Sequence, residues 1–234
     1  MSNSIFRFKH FFVDQSGATQ KIGTDAVLLG AWASLPKGQG RILDVGTGTG
    51  VIAMQLAYRF ALSHVTAIDI SSSAASCAQK NFSSSPFSSR MSVRCVSYQE
   101  FSSEGKYDLI VSNPPYFLGS IHSSKPDREL SRNNDFLPFD VLDSRTRELL
   151  APAGRFAVIL PVREYGIFLT KTLMHPVREC FVSSREGEPP RRVMAEFVTF
   201  PLEREPSQML AIYDVDGNFT APYKYLTGDF YLAF

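Results

Sequence analysis

The sequence predicts an α/β protein built on a mostly parallel, doubly wound sheet with helices on both faces. Three observations carry that reading. Short apolar segments recur at 41–45, 64–70, 91–96, 107–112 and 155–160, and most are apolar on both faces, as buried parallel strands are. Helical patterns separate several of them, at 50–60, 72–82 and 139–150. Two later segments, 178–183 and 192–200, are joined by the charged turn SREGEPPR and read as an antiparallel hairpin. With the first five they make seven strands, and 208–213 is a candidate for one more.

The remaining elements follow in order. The opening MSNSIFRFKHFF alternates Phe6, Phe8 and Phe12 as one strand face directed at the core. Thr24 or Asp25 caps an apolar helix, AVLLGAWASL. A run of serines precedes the 72–82 helix and supplies candidate caps. Residues 82–90 read as a surface loop. Residues 118–137 are polar and aperiodic, the pattern of a binding loop. No internal repeat is present, so 1–234 is expected to be a single domain, with 1–40 as an N-terminal extension.

Bulk properties narrow the function. The chain has 234 residues, 44% hydrophobic and 20% charged, with a net charge of +1. That length fills one α/β domain with some decoration. No apolar run approaches the roughly 18–20 residues of a membrane span, and the N-terminus lacks a signal-peptide core. The three cysteines are far apart and odd in number, which fits a reducing cytoplasm better than a disulfide framework or a metal site. The four histidines form no ligand pair. A near-neutral chain is not a general nucleic-acid binder, so any such contact must come from a local patch.

RILDVGTGTGVIAMQLA runs strand, glycine loop, helix. Gly46, Gly48 and Gly50 allow a tight turn and close approach of a ligand. The helix start behind them offers free N–H groups. A dinucleotide fingerprint is GxGxxG, but here the spacing is GxGxG and Val51 takes the third position. Asp69, ending the next strand, can accept both ribose hydroxyls of a nucleoside. Asp44, just before the glycines, would repel a pyrophosphate and attract a sulfonium or amino group. The set favours S-adenosylmethionine over NAD.

SNPPYFLGS, residues 112–120, follows an apolar strand and raises the question of what its Pro-Pro step does. Asn113 and Pro114 each precede a proline, so the tetrapeptide is stiff and extended. It offers carbonyl acceptors and few donors. Such a loop can receive both hydrogens of a planar amino group, while Tyr116 stacks on the ring that carries it. That arrangement suits methylation of an exocyclic amine, whose delocalised lone pair must be aimed.

D-x-G-x-G-x-G followed by N-P-P-Y resembles the signature of class I, S-adenosylmethionine-dependent amino methyltransferases, a Rossmann-like fold. FRFKHFFVDQSGATQKIGTDAVLLGAWA is similar to the start of the bacterial tRNA1(Val) adenine-37 N6-methyltransferases, and PRRVMAEFVTF and IYDVDGNFTAPYKYLTGDFYL to their C-terminal region. The resemblance implies that Asn113, Pro114, Pro115 and Tyr116 form the catalytic motif. It implies that Asp44, Gly46, Thr47, Gly48, Gly50, Asp69 and Ile70 surround the cofactor, with Thr24 and Asp25 near its methionine end. One departure concerns the acid that many class I enzymes place after the third strand. The stretch here is CVSYQEF, leaving Gln99, Glu100 or a backbone group.

The substrate implied is tRNA, whose adenosine must leave the anticodon-loop stack to be reached. Candidate phosphate contacts are Lys9 and His10, Arg128 and Arg132 in the long loop, and Arg191 and Arg192 at the hairpin. A protein-glutamine methyltransferase shares the NPPY motif, but carries a helical domain where this chain has only its short aromatic extension. A catalytically inactive RNA-binding protein is the alternative of another class, and the intact NPPY argues against it.

Overall fold

The computed structural model describes residues 4–16, 18, 21–115 and 137–233. A small antiparallel hairpin comes first, β1 (Ile5–Arg7) with β2 (Phe12–Asp14). The main strands are β3 (Arg41–Val45), β4 (His64–Asp69), β5 (Met91–Cys95), β6 (Tyr107–Ser112), β7 (Leu150–Pro161), β8 (His175–Arg185), β9 (Arg192–Val198) and β10 (Gln208–Tyr213). The helices are α1 (Thr24–Trp32), α2 (Val51–Arg59), α3 (Ser72–Ser83), α4 (Phe139–Leu149), α5 (Val162–Lys171) and α6 (Ala221–Thr227).

The sheet has eight strands in the order β10-β8-β9-β7-β6-β3-β4-β5. Every neighbouring pair is parallel except those made by β9, which runs against β7 and β8. The predicted hairpin is therefore present, but the expected seven strands become eight. After β9 the chain returns along β8, with Glu205 N–H bonded to Val177 O at 2.8 Å, so β10 joins the open edge in parallel. Helices α1, α2, α3 and α6 cover one face, and α4 and α5 the other. Leu43, Ile110, Val158 and Val193 pack on the second face while Ile42, Leu109, Ala157 and Met194 pack on the first. That two-sided burial is why these strands read as continuous apolar runs.

Three local details differ from expectation. Strand β7 begins at Leu150 rather than 155, because the Ala-Pro-Ala-Gly stretch pairs through a bulge opposite Tyr107. Gly23 caps α1 with no side-chain bond, so Thr24 and Asp25 lie in its first turn. The N-terminal phenylalanines do not share one strand face. Phe8 N–H bonds Phe11 O across a turn at 2.8 Å, burying Phe8 and Phe11 and leaving Phe12 exposed. The loop at 82–90 includes a short 3-10 turn at Ser88–Arg90. The cap expected of the serine run is made by Ser71, whose hydroxyl accepts from Ala74 N–H.

The fully buried Glu196 of β9 fastens the end of α1 to the sheet. It accepts from Ser34 N–H at 2.7 Å, Ser34 Oγ at 2.9 Å and Arg155 at 2.6 Å. Arg178, stacked on Trp32, stands 3.5 Å away. Such a pair is costly to bury and costlier to break. Glu196→Ala is expected to lower unfolding free energy by about 3–5 kcal/mol; urea denaturation measures it, and a loss below ~1 kcal/mol would show the network contributes little.

Candidate active site

The site is set by register. Val45 of β3 pairs with Ile68 of β4 on one side and with Ser112 of β6 on the other. The residues that follow, Gly46, Asp69 and Asn113, therefore stand side by side at the carboxyl end of the sheet. A cleft of about 600 Å³ opens there. Its walls include Gly46, Gly48, Asp69, Ile70, Asn113, Pro114 and Pro115.

The glycine loop is held from within. Gly46 and Thr47 N–H both donate to Ile68 O, and Gly50 N–H to Thr47 O. Gly46, Gly48 and Gly50 all have positive φ, at 74°, 56° and 83°. They are not equivalent. A Cβ on Gly46 or Gly48 would meet nothing within 4 Å, whereas one on Gly50 would lie 2.5 Å from the Phe82 ring. The first two leave room over the loop and the third makes room for helix packing. Asp69 accepts from Gly48 N–H and Ser71 N–H, both at 2.9 Å, which fixes the loop against the β4 end.

Asp44 is fully buried and is not part of the cleft wall. Its Oδ2 accepts from Thr47 Oγ1 at 2.6 Å and Ala53 N–H at 3.2 Å, while Oδ1 has no partner. Burial pushes its carboxyl up to about 7, against those two hydrogen bonds. Thr47 is buried with it, and Gly50 is also away from the wall. Thr24 and Asp25 are not in the wall either; the Asp25 carboxylate accepts from Arg192 Nε at 2.8 Å.

That ion pair joins a residue expected at the cofactor to one expected at RNA. Lys9 is similarly engaged, its Nζ donating to Gly228 O at 2.6 Å, and His10 stacks on Tyr58 with ring centroids 4.0 Å apart. Tyr58 is near the end of α2 that points away from the glycine loop, so Lys9 and His10 lie at the far end of the sheet from the cleft. Arg191 is exposed, 3.7 Å from Glu188. Tyr116, Arg128 and Arg132, with all of 118–137 except Leu137, lie outside the described residues. Among wall residues the sequence reading left out Ala18, Ser71, Ser73, Val96, Tyr98 and Leu137. Of the alternatives after β5, Gln99 is in the wall, whereas the Glu100 carboxylate accepts from Ser97 Oγ at 2.8 Å in the next turn.

Known proteins of similar sequence decide the family. The Methyltransferase small domain family matches residues 20–130. A protein of Parabacteroides distasonis, a tRNA1(Val) (adenine(37)-N6)-methyltransferase, is 41% identical over 99% of both chains. One of Serratia proteamaculans with the same name is 38% identical, over 98% of this chain and 90% of its own. This chain belongs to the tRNA1(Val) (adenine(37)-N6)-methyltransferase family. Solved structures agree on the fold. A predicted O-methyltransferase of Agrobacterium tumefaciens superposes with a TM-score of 0.69 at 18% identity, covering 88% of this chain and 96% of that one. A glycopeptide N-methyltransferase bound to S-adenosyl-L-homocysteine gives 0.55 at 14% identity, covering 76% and 90%.

The protein is thus an S-adenosylmethionine-dependent methyltransferase of class I fold, and its residues fit that cofactor. Gly46 and Gly48 leave an open cradle that a Cβ would fill, Asp69 stands in the wall, where its carboxylate would meet a ribose of the bound cofactor, and Asp44 Oδ1 is left without a partner behind the loop. Among the described residues no helix is long and apolar enough to cross a membrane, and no group of three or more acidic, cysteine or histidine side chains could hold a metal ion.

Two predictions follow from the loop. Gly48→Ala should cost roughly 1–2 kcal/mol of backbone strain and weaken S-adenosylmethionine binding further, whereas Gly50→Ala should destabilise more because Phe82 must also move. Denaturation and titration calorimetry separate the two; equal stability losses would show that Phe82 yields freely. The second concerns pH. The folded protein holds the Asp44 proton more tightly than the unfolded chain, so this group's stabilisation is lost as pH rises from about 4 through about 7. Asp44→Asn should flatten that part of the Tm profile, and an unchanged slope would place the proton elsewhere.

Proposed function

We propose that this chain transfers a methyl group to the exocyclic N6 of an adenosine in tRNA, at position 37 in the anticodon loop of tRNA1(Val). The observation that carries the substrate is the likeness to methyltransferases of that name along 99% of the chain, including the aromatic N-terminus. The cleft supports the chemistry. Asn113 is half-buried, Pro114 buried and Pro115 exposed, so the peptide that ends β6 forms part of the wall. Ser112 is anchored beneath it, its hydroxyl donating to Val45 O at 3.0 Å.

In this reading the Asn113 side-chain carbonyl and the Pro114 backbone carbonyl accept the two N6 hydrogens. Holding them turns the nitrogen lone pair out of conjugation and toward the cofactor side of the cleft. Bound S-adenosylmethionine supplies the electrophilic methyl group. Orientation and electrostatics then suffice, with no strong base. Tyr116 stacks on the adenine. Gln99 offers an amide to the cofactor's adenine, and Asp69 accepts from its ribose. Arg191 is left as the hairpin cation for phosphate, while Lys9 and Arg192 brace the fold.

The test uses labelled S-adenosylmethionine with tRNA, and separately total protein, from cells lacking this chain. Label in tRNA that digests to N6-methyladenosine, mapped to position 37, is expected; label in protein alone would move the reading to glutamine. Asn113→Ala should abolish turnover and leave cofactor affinity within a few-fold, as calorimetry would record. Equal loss of both would make Asn113 structural.

A further inference from the structure

Asp44 and Asp69 hold two points of the glycine loop, Thr47 and Gly48. A third hold comes from the last turn of α3. Asn81 is 2% exposed, and its amide makes three close hydrogen bonds. Nδ2 donates to Thr49 O at 2.9 Å and to Asp14 O at 3.0 Å, and Oδ1 accepts from Asp14 N–H at 2.9 Å. Two carbonyls on one side and an N–H on the other fix which way the amide points.

The bond to Thr49 is one that α2 does not provide. In a continuous helix the Ala53 N–H would donate to Thr49 O, four residues earlier. Here that N–H donates to the Asp44 carboxylate at 3.2 Å. Thr49 is buried between Gly48 and Gly50, both at positive φ. Without Asn81 its carbonyl would lose its partner in a covered position, which a loop normally avoids.

The bonds to Asp14 act on another wall. Asp14 ends β2, and the chain beyond it reaches the cleft at Ala18, whose N–H donates to Gln15 O at 3.1 Å. The Gln15 side chain also accepts from Ile22 N–H at 2.7 Å, which holds the chain on both sides of Ala18. The start of α3 gives Ser71, Ser73 and Ala74 to the same cleft. One amide thus ties together three stretches of wall. Asn81 itself is not in the wall, so a bound cofactor does not draw on its hydrogen bonds.

We propose that Asn81 is a positioning residue for S-adenosylmethionine. It sets the glycine loop and Ala18 at the spacing the cofactor binds, without touching the cofactor. It acts on cofactor affinity and not on the transfer step, because the Asn-Pro-Pro peptide stands on β6, on the other side of β3 from α3 and β4.

Calorimetry with S-adenosylmethionine tests it, on the full chain and well below the Tm of each variant, together with hydrogen exchange and methyl-transfer kinetics. A side chain that only stabilises the fold changes the unfolded fraction, so a variant that is still folded binds with unchanged Kd. Asn81→Ala should raise Kd about tenfold, as loss of a buried hydrogen-bond partner implies. Amide exchange in Gly46 to Gly50 should quicken, and kcat at saturating cofactor should stay within a few-fold. A lower Tm with unchanged Kd overturns the proposal and makes Asn81 purely structural. A lower kcat with unchanged Kd overturns it too, and moves Asn81 to the substrate side. If Asn81→Ala does not fold, Gln15→Ala decides, since Gln15 is only half-buried and lies between Asp14 and Ala18. A Kd raised several-fold upholds the proposal, with Gln15→Glu, which keeps the acceptor, binding as the wild type does; an unchanged Kd in Gln15→Ala overturns it.

Discussion

Parallel pairing of β3 with both β4 and β6 is the constraint on which the cleft depends. In a parallel ladder the carboxyl ends of neighbours lie side by side, so one aligned register brings three loops to one edge. Val45 opposite Ile68 and Ser112 does this for the glycine loop, the Asp69 turn and the Asn-Pro-Pro peptide. A one-residue slip of β6 would turn Leu109 and Val111 off their packing face and move Asn113 away from Gly46. Burial of both faces makes such a slip expensive. The two cores therefore do more than stabilise the fold, since they hold the Asn-Pro-Pro peptide and the glycine loop at a fixed separation.

The loop built on that edge is a balance of opposing costs. Three residues at positive φ demand glycine or strain, and an acid without full solvation lies behind them. Asp44 gives two acceptor bonds from one oxygen and leaves the other bare. Its pull on the Thr47 hydroxyl and Ala53 N–H draws the loop and the helix start together, which offsets part of its burial. A cationic ligand over the loop would offset more, because it favours the ionised carboxyl. The same residue thus ties the loop to the helix start without touching the cleft.

Much of this was legible in the sequence because the signals were local. Strand–glycine–helix order, Asp69 and the Asn-Pro-Pro step are patterns of neighbouring residues, and the structure brings Gly46, Gly48, Asp69, Ile70 and Asn113 to one wall. What was not legible depended on distant partners. Asp25 reads as a cap or a ligand until Arg192 is seen beside it. Lys9 reads as a phosphate contact until its ammonium is found on Gly228 O. Helix α5 was hidden by Gly166 inside a short amphipathic run. Helix α6 carries its own signal, a Thr220 cap followed by a proline in its first turn, that the reading passed over. Glu100 is turned onto a Ser97 hydroxyl three residues back that sequence spacing alone does not orient.

The aromatic N-terminus reaches the site only through the fold. Phe8 and Phe11 pack with Phe230, and His10 stacks on Tyr58, so its rings are consumed in a brace at the far end of the sheet. At the near end the Asn81 amide donates to Asp14 O and to Thr49 O, and its carbonyl accepts from Asp14 N–H. One buried side chain thus joins the N-terminal hairpin, α3 and the glycine loop. That bracing fixes the glycine loop from the α3 side, while the Asn-Pro-Pro peptide at the end of β6 walls the cleft on the other side of β3.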